Sequence, residues 1–301
     1  MAQARENLFL FEWYKRIAWG PFTTLVILPV CGLISTFWVR LHSQTAIFAL
    51  VYAVIIALCI TAGKLVIASA ILVLSKKLTG TRIPSIMVSQ VVALAVIGAA
   101  GMQGPIRWWA REHRAHHRFT DTSEDPYNIK QGFFHAHILW MILKQPKRSR
   151  RVDISDLLND PVVAWQERHF IPVAVGMGWL LPMVVCGLWT SDWLGGLLYG
   201  GILRMCLCHQ GIFCINSVCH YFGDQPYDTR LSARNLPHVL AMCTLGEGYH
   251  NYHHAFPADY RMGVHWYDLD ITKWNIWVWG KLGLARDLRR IQKIGIDKPS
   301  L

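Results

Sequence analysis

Four stretches of this chain are apolar for long enough to cross a lipid bilayer. The first covers about 20–39. The second opens at Thr45 with TAIFALVYAVIIALCITAG. The third covers about 170–189 and the fourth about 193–215. A helical span needs roughly 20 apolar residues, and backbone in hydrocarbon must bond to itself, so runs of this kind fold as helices. The link between the first pair is RLHSQ and that between the second pair is TSDW. Links this short make two antiparallel hairpins. The expected class is therefore all-α, a four-span membrane protein. Composition agrees, with 53% hydrophobic residues and 16% charged ones, against about 25% charged in soluble domains. Trp38, Trp189, Trp193, Trp277 and Trp279 sit at the edges of apolar runs, where a bilayer interface suits them.

Charge orients the hairpins. The formal net charge is +11. Lys and Arg gather in the N-terminal arm (Arg5, Lys15, Arg16), in the middle section (Arg107, Arg111, Arg114, Arg118, Lys144, Lys147, Arg148, Arg150, Arg151) and in the tail (Arg230, Arg234, Arg261, Lys273). The positive-inside rule places all three, and both termini, in the cytosol. The surplus also suits a phosphorylated ligand. No nucleic-acid motif accompanies it. The eight Cys form no CxxC pair, which leaves them as reduced, buried, small core residues. The first 17 residues mix Arg5, Glu6, Glu12, Lys15 and Arg16, unlike a cleavable signal peptide.

Two stretches break this regularity. Apolar character continues past Lys64 as LVIASAILVL, so the second run extends over 45–74 and outlasts a bilayer. A further run, VVALAVIGAAG at 91–101, is short for a span and reads as a buried or interfacial helix.

The chemistry lies in the histidines. His113, His116 and His117 have the spacing i, i+3, i+4, and His250, His253 and His254 repeat it. On a helix such residues share one face. Imidazole is a good ligand for Fe, Zn, Cu and Ni. One HxxHH is easily a polar surface cluster; two on the same predicted side of a membrane point to metal. Asn216 and His220, i and i+4 at the cytosolic end of the fourth run, are a further candidate pair. His209 reads as a bundle residue making a hydrogen bond. His42, His135, His137, His169, His238 and His265 read as structural or surface residues. HExxH, GxSxG and Walker motifs are absent, which removes zinc metalloproteases, nucleophile-elbow hydrolases and P-loop NTPases.

The segments REHRAHHRFTDTSEDPYN (111–128) and GEGYHNYHHAFPADYR (246–261) resemble the second and third histidine boxes of membrane acyl-CoA desaturases of the stearoyl-CoA (Δ9) type. QGPIRWWAREH, GFFHAHILWM and NSVCHYFGDQPYDTR resemble the family as well, so the likeness runs over about 10–63 and 90–285. It implies a single desaturase domain over 1–301, four membrane helices under a cytosolic helical cap, and a centre of two iron ions. It implies His113, His116, His117, His220, His250, His253 and His254 as ligands, with Asn216 acting through a water. It implies an acyl-CoA substrate, O2, electrons from cytochrome b5 and residence in the endoplasmic reticulum membrane. Arg111, Glu112 and Lys144 match positions at the CoA head group, although Lys144 equally suits the positive-inside bias. No haem-binding HPGG motif occurs before Leu301, so the implied electron donor is external rather than a C-terminal cytochrome b5 domain.

One departure limits the implied chemistry. The family's first box, HxxxxH, follows ITAG. Here ITAG (60–63) leads into KLVIASAILVLSKKLTGTRIPSIMVSQ, and no histidine occurs between His42 and His113. Lysine is protonated near neutral pH and does not replace imidazole. The departure is confined to about 64–90 and coincides with the overlong apolar run. One cause accounts for both: a block foreign to the fold, spliced in or mis-joined in the gene model. Uninterrupted cDNA across residues 60–92 would refute that. Three readings remain open: a Δ9-type desaturase, a catalytically impaired member that binds acyl-CoA or an active partner, and a hydroxylase on the same scaffold.

Overall fold

The computed structural model describes residues 13–60, 85–146, 149, 151–285 and 288–291. The irregular block therefore lies outside the described residues as far as residue 84. Among the described residues the fold is all-helical. Extended pairing is limited to isolated bridges, Ile17 with Leu143 and Asn235 with both Asp224 and Tyr249.

Helix α1 (Trp19–Ser35) and helix α2 (Ser43–Ile60) form the N-terminal hairpin. Helix α3 is Ser85–Ala99, α4 is Ile106–Phe119 and α5 is Pro161–Arg168. Helices α6 (Phe170–Thr190) and α7 (Trp193–His220) form the C-terminal hairpin. The short α8 (His250–Ala255) and then α9 (Ile271–Lys281) complete the set. By length and apolarity α2, α6 and α7 can cross a bilayer. Helix α1 is shorter than its apolar run. It ends at Ser35, where the Ser35 and Thr36 hydroxyls donate to Cys31 O at 2.8 Å and Leu33 O at 2.7 Å. Phe37 and Trp38 follow, 85% and 79% exposed. The run at 91–101 forms the C-terminal part of α3, whose end packs on α6 through Ala99, Phe170 and Ala174.

Asp192 shapes the C-terminal hairpin. Its carboxylate accepts from Gly195 N at 3.0 Å and from the Thr45 hydroxyl of α2, capping the start of α7. Ser191 beside it takes the left-handed conformation, φ 59°. The two helices then touch: a Cβ on Gly196 would stand 2.5 Å from Pro182 O. Arg204 on α7 is 2% exposed. It donates to Gly200 O at 2.8 Å, Gly178 O at 3.0 Å and Ala100 O at 3.2 Å, and its guanidinium lies 5.3 Å from the Tyr52 ring centroid. It thus joins α7 to α6, to the end of α3 and to α2, with carbonyls and a ring face balancing a buried cation.

The cysteines are all free, as expected. Burial of all eight is not observed: Cys31 and Cys243 are exposed, and Cys206, Cys208 and Cys214 are half-buried. Cys31 lies on an apolar surface of α1, so an apolar sequence context did not imply an interior position.

Candidate metal centre

Helix α4 presents one histidine face because its other face is tied down. Asp160 caps the neighbouring α5 by accepting from Val162 N and Val163 N, with Pro161 in the first turn. Gln166 of α5 accepts from Ile106 N at 3.1 Å, holding the start of α4. Ala110 packs with Leu157 and Val163. Arg114 grips Asp156 through two bonds of 2.7 Å, which holds the Asp156 carboxyl below its ordinary range. His113, His116 and His117 are left on the remaining arc.

Helix α8 is held the same way from behind. Asn251 is fully buried. Its amide donates to Asp228 O at 2.7 Å and Ala233 O at 2.8 Å, and its carbonyl oxygen accepts from Tyr227 N at 2.9 Å. Tyr252 donates to Asp259 at 2.7 Å, which also takes two bonds from Arg261. Gly246, at φ +124°, turns the chain into this segment where a Cβ would lie 2.7 Å from Asp270 Cα. His220 arrives on a 3-10 turn at the end of α7.

These elements sort the seven histidines into two groups, His116/His220/His250/His254 and His113/His117/His253; within each, the candidate ligand atoms lie within 4.8 Å of one another. In the first group Nε2 atoms meet: His116 with His254 at 3.1 Å, His254 with His250 at 3.1 Å and His250 with His220 at 3.0 Å. In the second, His113 and His117 Nε2 are 3.1 Å apart. The groups adjoin, with the His117 and His254 rings stacked at 4.3 Å. Burial and the neighbouring imidazoles hold the His117 and His254 pKa well below the ordinary value. That keeps the rings neutral, the form that binds metal. Imidazole nitrogens converging with no carboxylate among them in the described residues suit a transition metal ion; the donor set fits.

Three of the outward nitrogens are anchored. His116 Nδ1 lies 2.9 Å from Asp125 Oδ1. His113 Nδ1 lies 3.3 Å from the Tyr127 hydroxyl. His220 Nδ1 lies 2.7 Å from Ser232 Oγ, which donates at 2.5 Å to Asp121. Such partners fix ring orientation and raise ligand basicity. Asp121, Asp125 and Tyr127 sit within the 111–128 motif, yet residue types alone did not single them out. Ser232 lies in an irregular loop and carried no signal.

A cavity of about 420 Å³ leads to the histidines. It is lined by Leu50, Val54 and Ala57 of α2, by Trp108 and Trp140, and by Ile212 and Phe213 of α7, and it reaches His113, His116 and His250. Asn216, Glu112 and His209 also line it. Glu112 is buried and pairs with Arg111 at 2.9 Å. Arg111 is exposed and stands outside the cavity wall. Lys144 is exposed too, its backbone N bonded to Arg16 O, and it also lies outside that wall. His137 bridges Ser217 and Gln210, each at 2.9 Å, a structural role as expected.

Helices long and apolar enough to cross a membrane, a polyhistidine cluster that could hold metal ions and an apolar cavity together fit the class of membrane proteins with a metal site. The Fatty acid desaturase family model matches residues 77–285, and the chain belongs to that family. It is 42% identical over 288 residues to the probable acyl-CoA desaturase of Schizosaccharomyces pombe, covering 95% of this chain and 58% of that protein. It is 35% identical over 297 residues to acyl-CoA desaturase 1 of Saccharomyces cerevisiae, covering 96% and 55%. It is 30% identical over 297 residues to the Delta(9)-fatty-acid desaturase fat-7 of Caenorhabditis elegans, covering 96% and 84%. The chain thus spans little more than half the length of the two yeast relatives.

Proposed function

We propose that this chain is an acyl-CoA desaturase that places a cis double bond, at Δ9, in a saturated fatty acyl-CoA. The observation that carries this reading is the junction of an apolar cavity with two facing histidine groups. In this reading the chain makes a single desaturase domain with four spans, α1 tilting little or thinning the bilayer locally. The histidine-bearing end and both termini lie in the cytosol, at the endoplasmic reticulum membrane. His116, His220, His250 and His254 hold one iron and His113, His117 and His253 a second, with Asn216 acting through a water. When bound, the iron pair supplies O2 activation for removing two hydrogens from an unactivated chain, with electrons from cytochrome b5. The protein's own part is positional. Leu50, Val54, Trp108, Trp140 and Phe213 hold the acyl chain away from bulk water and aim its methylenes at the histidines. Arg111, Glu112 and Lys144 meet the CoA head group.

A second reading has a specific observation behind it: the absence of histidine between His42 and His113. On that reading the scaffold binds acyl-CoA or an active partner with impaired catalysis, and residues 64–90 are a foreign block. Expression in a desaturase-deficient host, with fatty acids resolved by gas chromatography, separates the readings. Restored Δ9-monounsaturated acids assign the first. No rescue with acyl-CoA binding retained assigns the second, and hydroxylated acids refute both.

A further inference from the structure

The clustered histidines divide four to three, and the division follows the fold. The four-histidine group draws on three elements: His116 from α4, His220 from α7, and His250 and His254 from α8. Its members are buried, and two of them are braced from behind by Asp125 and by Ser232 with Asp121. Four nitrogens satisfy a tetrahedral ion without further donors. The three-histidine group draws only on α4 and α8, with His113 and His117 half-buried and His253 buried. Its His113 leans on Tyr127 at 3.3 Å and stacks on Trp109 at 4.7 Å. Trp109 and Ile60, the last described residue of α2, together line the main cavity and a smaller one beside it. Beyond Ile60 the chain runs on in sequence toward α3. Over residues 61–84 it contains no His, Cys, Asp or Glu, the residue types that bind divalent metals tightly.

We infer that the two histidine groups are unequal in this chain: the four-histidine group is the tight site for one divalent transition ion, and the three-histidine group is the weaker, exchangeable one. The inference rests on the metal reading above. Three imidazoles leave coordination positions to water or a small anion, as in open zinc sites. With no fourth protein ligand among the described residues, the second ion is held more weakly and leaves faster.

The test uses the full chain in detergent micelles, stripped with a chelator and titrated with Co²⁺. Bound ions are counted by elemental analysis after equilibrium dialysis, and the visible spectrum reports coordination. The expected result is one equivalent bound at least ~100-fold more tightly than the second, with one ion per chain surviving a chelator wash. His250→Ala removes the tight event. His253→Ala keeps it and removes the weak one. The titration of the unsubstituted chain stands alone if either variant fails to fold. Two ions of equal affinity overturn the inequality while leaving the metal reading in place. No bound ion overturns both.

Discussion

The C-terminal hairpin and the N-terminal hairpin are built from similar apolar material, yet among the described residues only the C-terminal one ends in the histidine cluster. Helix α7 runs from Trp193 without a break to His220, so a membrane-length helix ends as part of the histidine cluster. Helix α2 is described to Ile60 and contributes cavity wall instead of ligands. The C-terminal hairpin is also cross-tied, by Asp192 at its turn and by Arg204 across three neighbours. The N-terminal hairpin is tied to it by Thr45 and by Tyr52, which donates to Met177 O at 2.6 Å. Ligand supply and rigidity thus sit on the same side of the fold. Damage to the C-terminal hairpin should reach the histidines, and damage to the N-terminal hairpin should stay local.

Arg204→Ala is the strongest challenge to that contrast. It removes three charge-assisted bonds, each contributing on the order of 1.5–3 kcal/mol, partly offset by the relieved burial of the cation. A stability loss of about 2–4 kcal/mol is expected, with reduced metal uptake; unchanged melting and uptake in micelles would break the contrast. Asp125→Asn comes next. It leaves the ligands in place but weakens the hold on His116, and should lower ion affinity roughly 10–100-fold, read by Co²⁺ titration. Acidification tests the cluster as a whole. His117 and His254 have pKa values lowered by burial and by their imidazole neighbours. The unfolded chain protonates them near 6.5, so it takes up protons the folded state refuses. They cost the folded state nothing above that pH, and the penalty grows as the pH falls below it. The metal-free protein should lose on the order of 1.4 kcal/mol per proton per pH unit there, measured as falling melting temperature. Tyr52→Phe is the smallest change. Loss of one hydrogen bond should cost about 1 kcal/mol, with Co²⁺ binding unaltered; altered metal affinity would show that the N-terminal hairpin reaches the centre after all.

Helix faces were legible in the sequence because i, i+3, i+4 spacing dictates them. The way the imidazoles pair was not. Each box splits, His116 going with His250 and His254 while His113 and His117 go with His253. That sorting depends on how α4 and α8 approach, which no local pattern encodes. The apolar runs marked α2, α6 and α7 well. They overstated α1, which ends at Ser35 before apolar character does. The anchors behind the histidines were hidden for a related reason. Ser232 and Asp121 meet across 111 residues of chain, and a contact of that range leaves no periodic trace.

Arg204 also bears on how the chain enters a bilayer. A lone arginine at mid-membrane costs about 2.5–3.5 kcal/mol on insertion scales, so α7 is a poor candidate to partition into lipid alone. Its partners beyond its own helix are Tyr52, Ala100 and Gly178, and all precede it in the chain. During synthesis they leave the ribosome before Arg204 does. Helix α7 is therefore received by a prepared socket, and the order of translation is the order in which that charge can be sheltered.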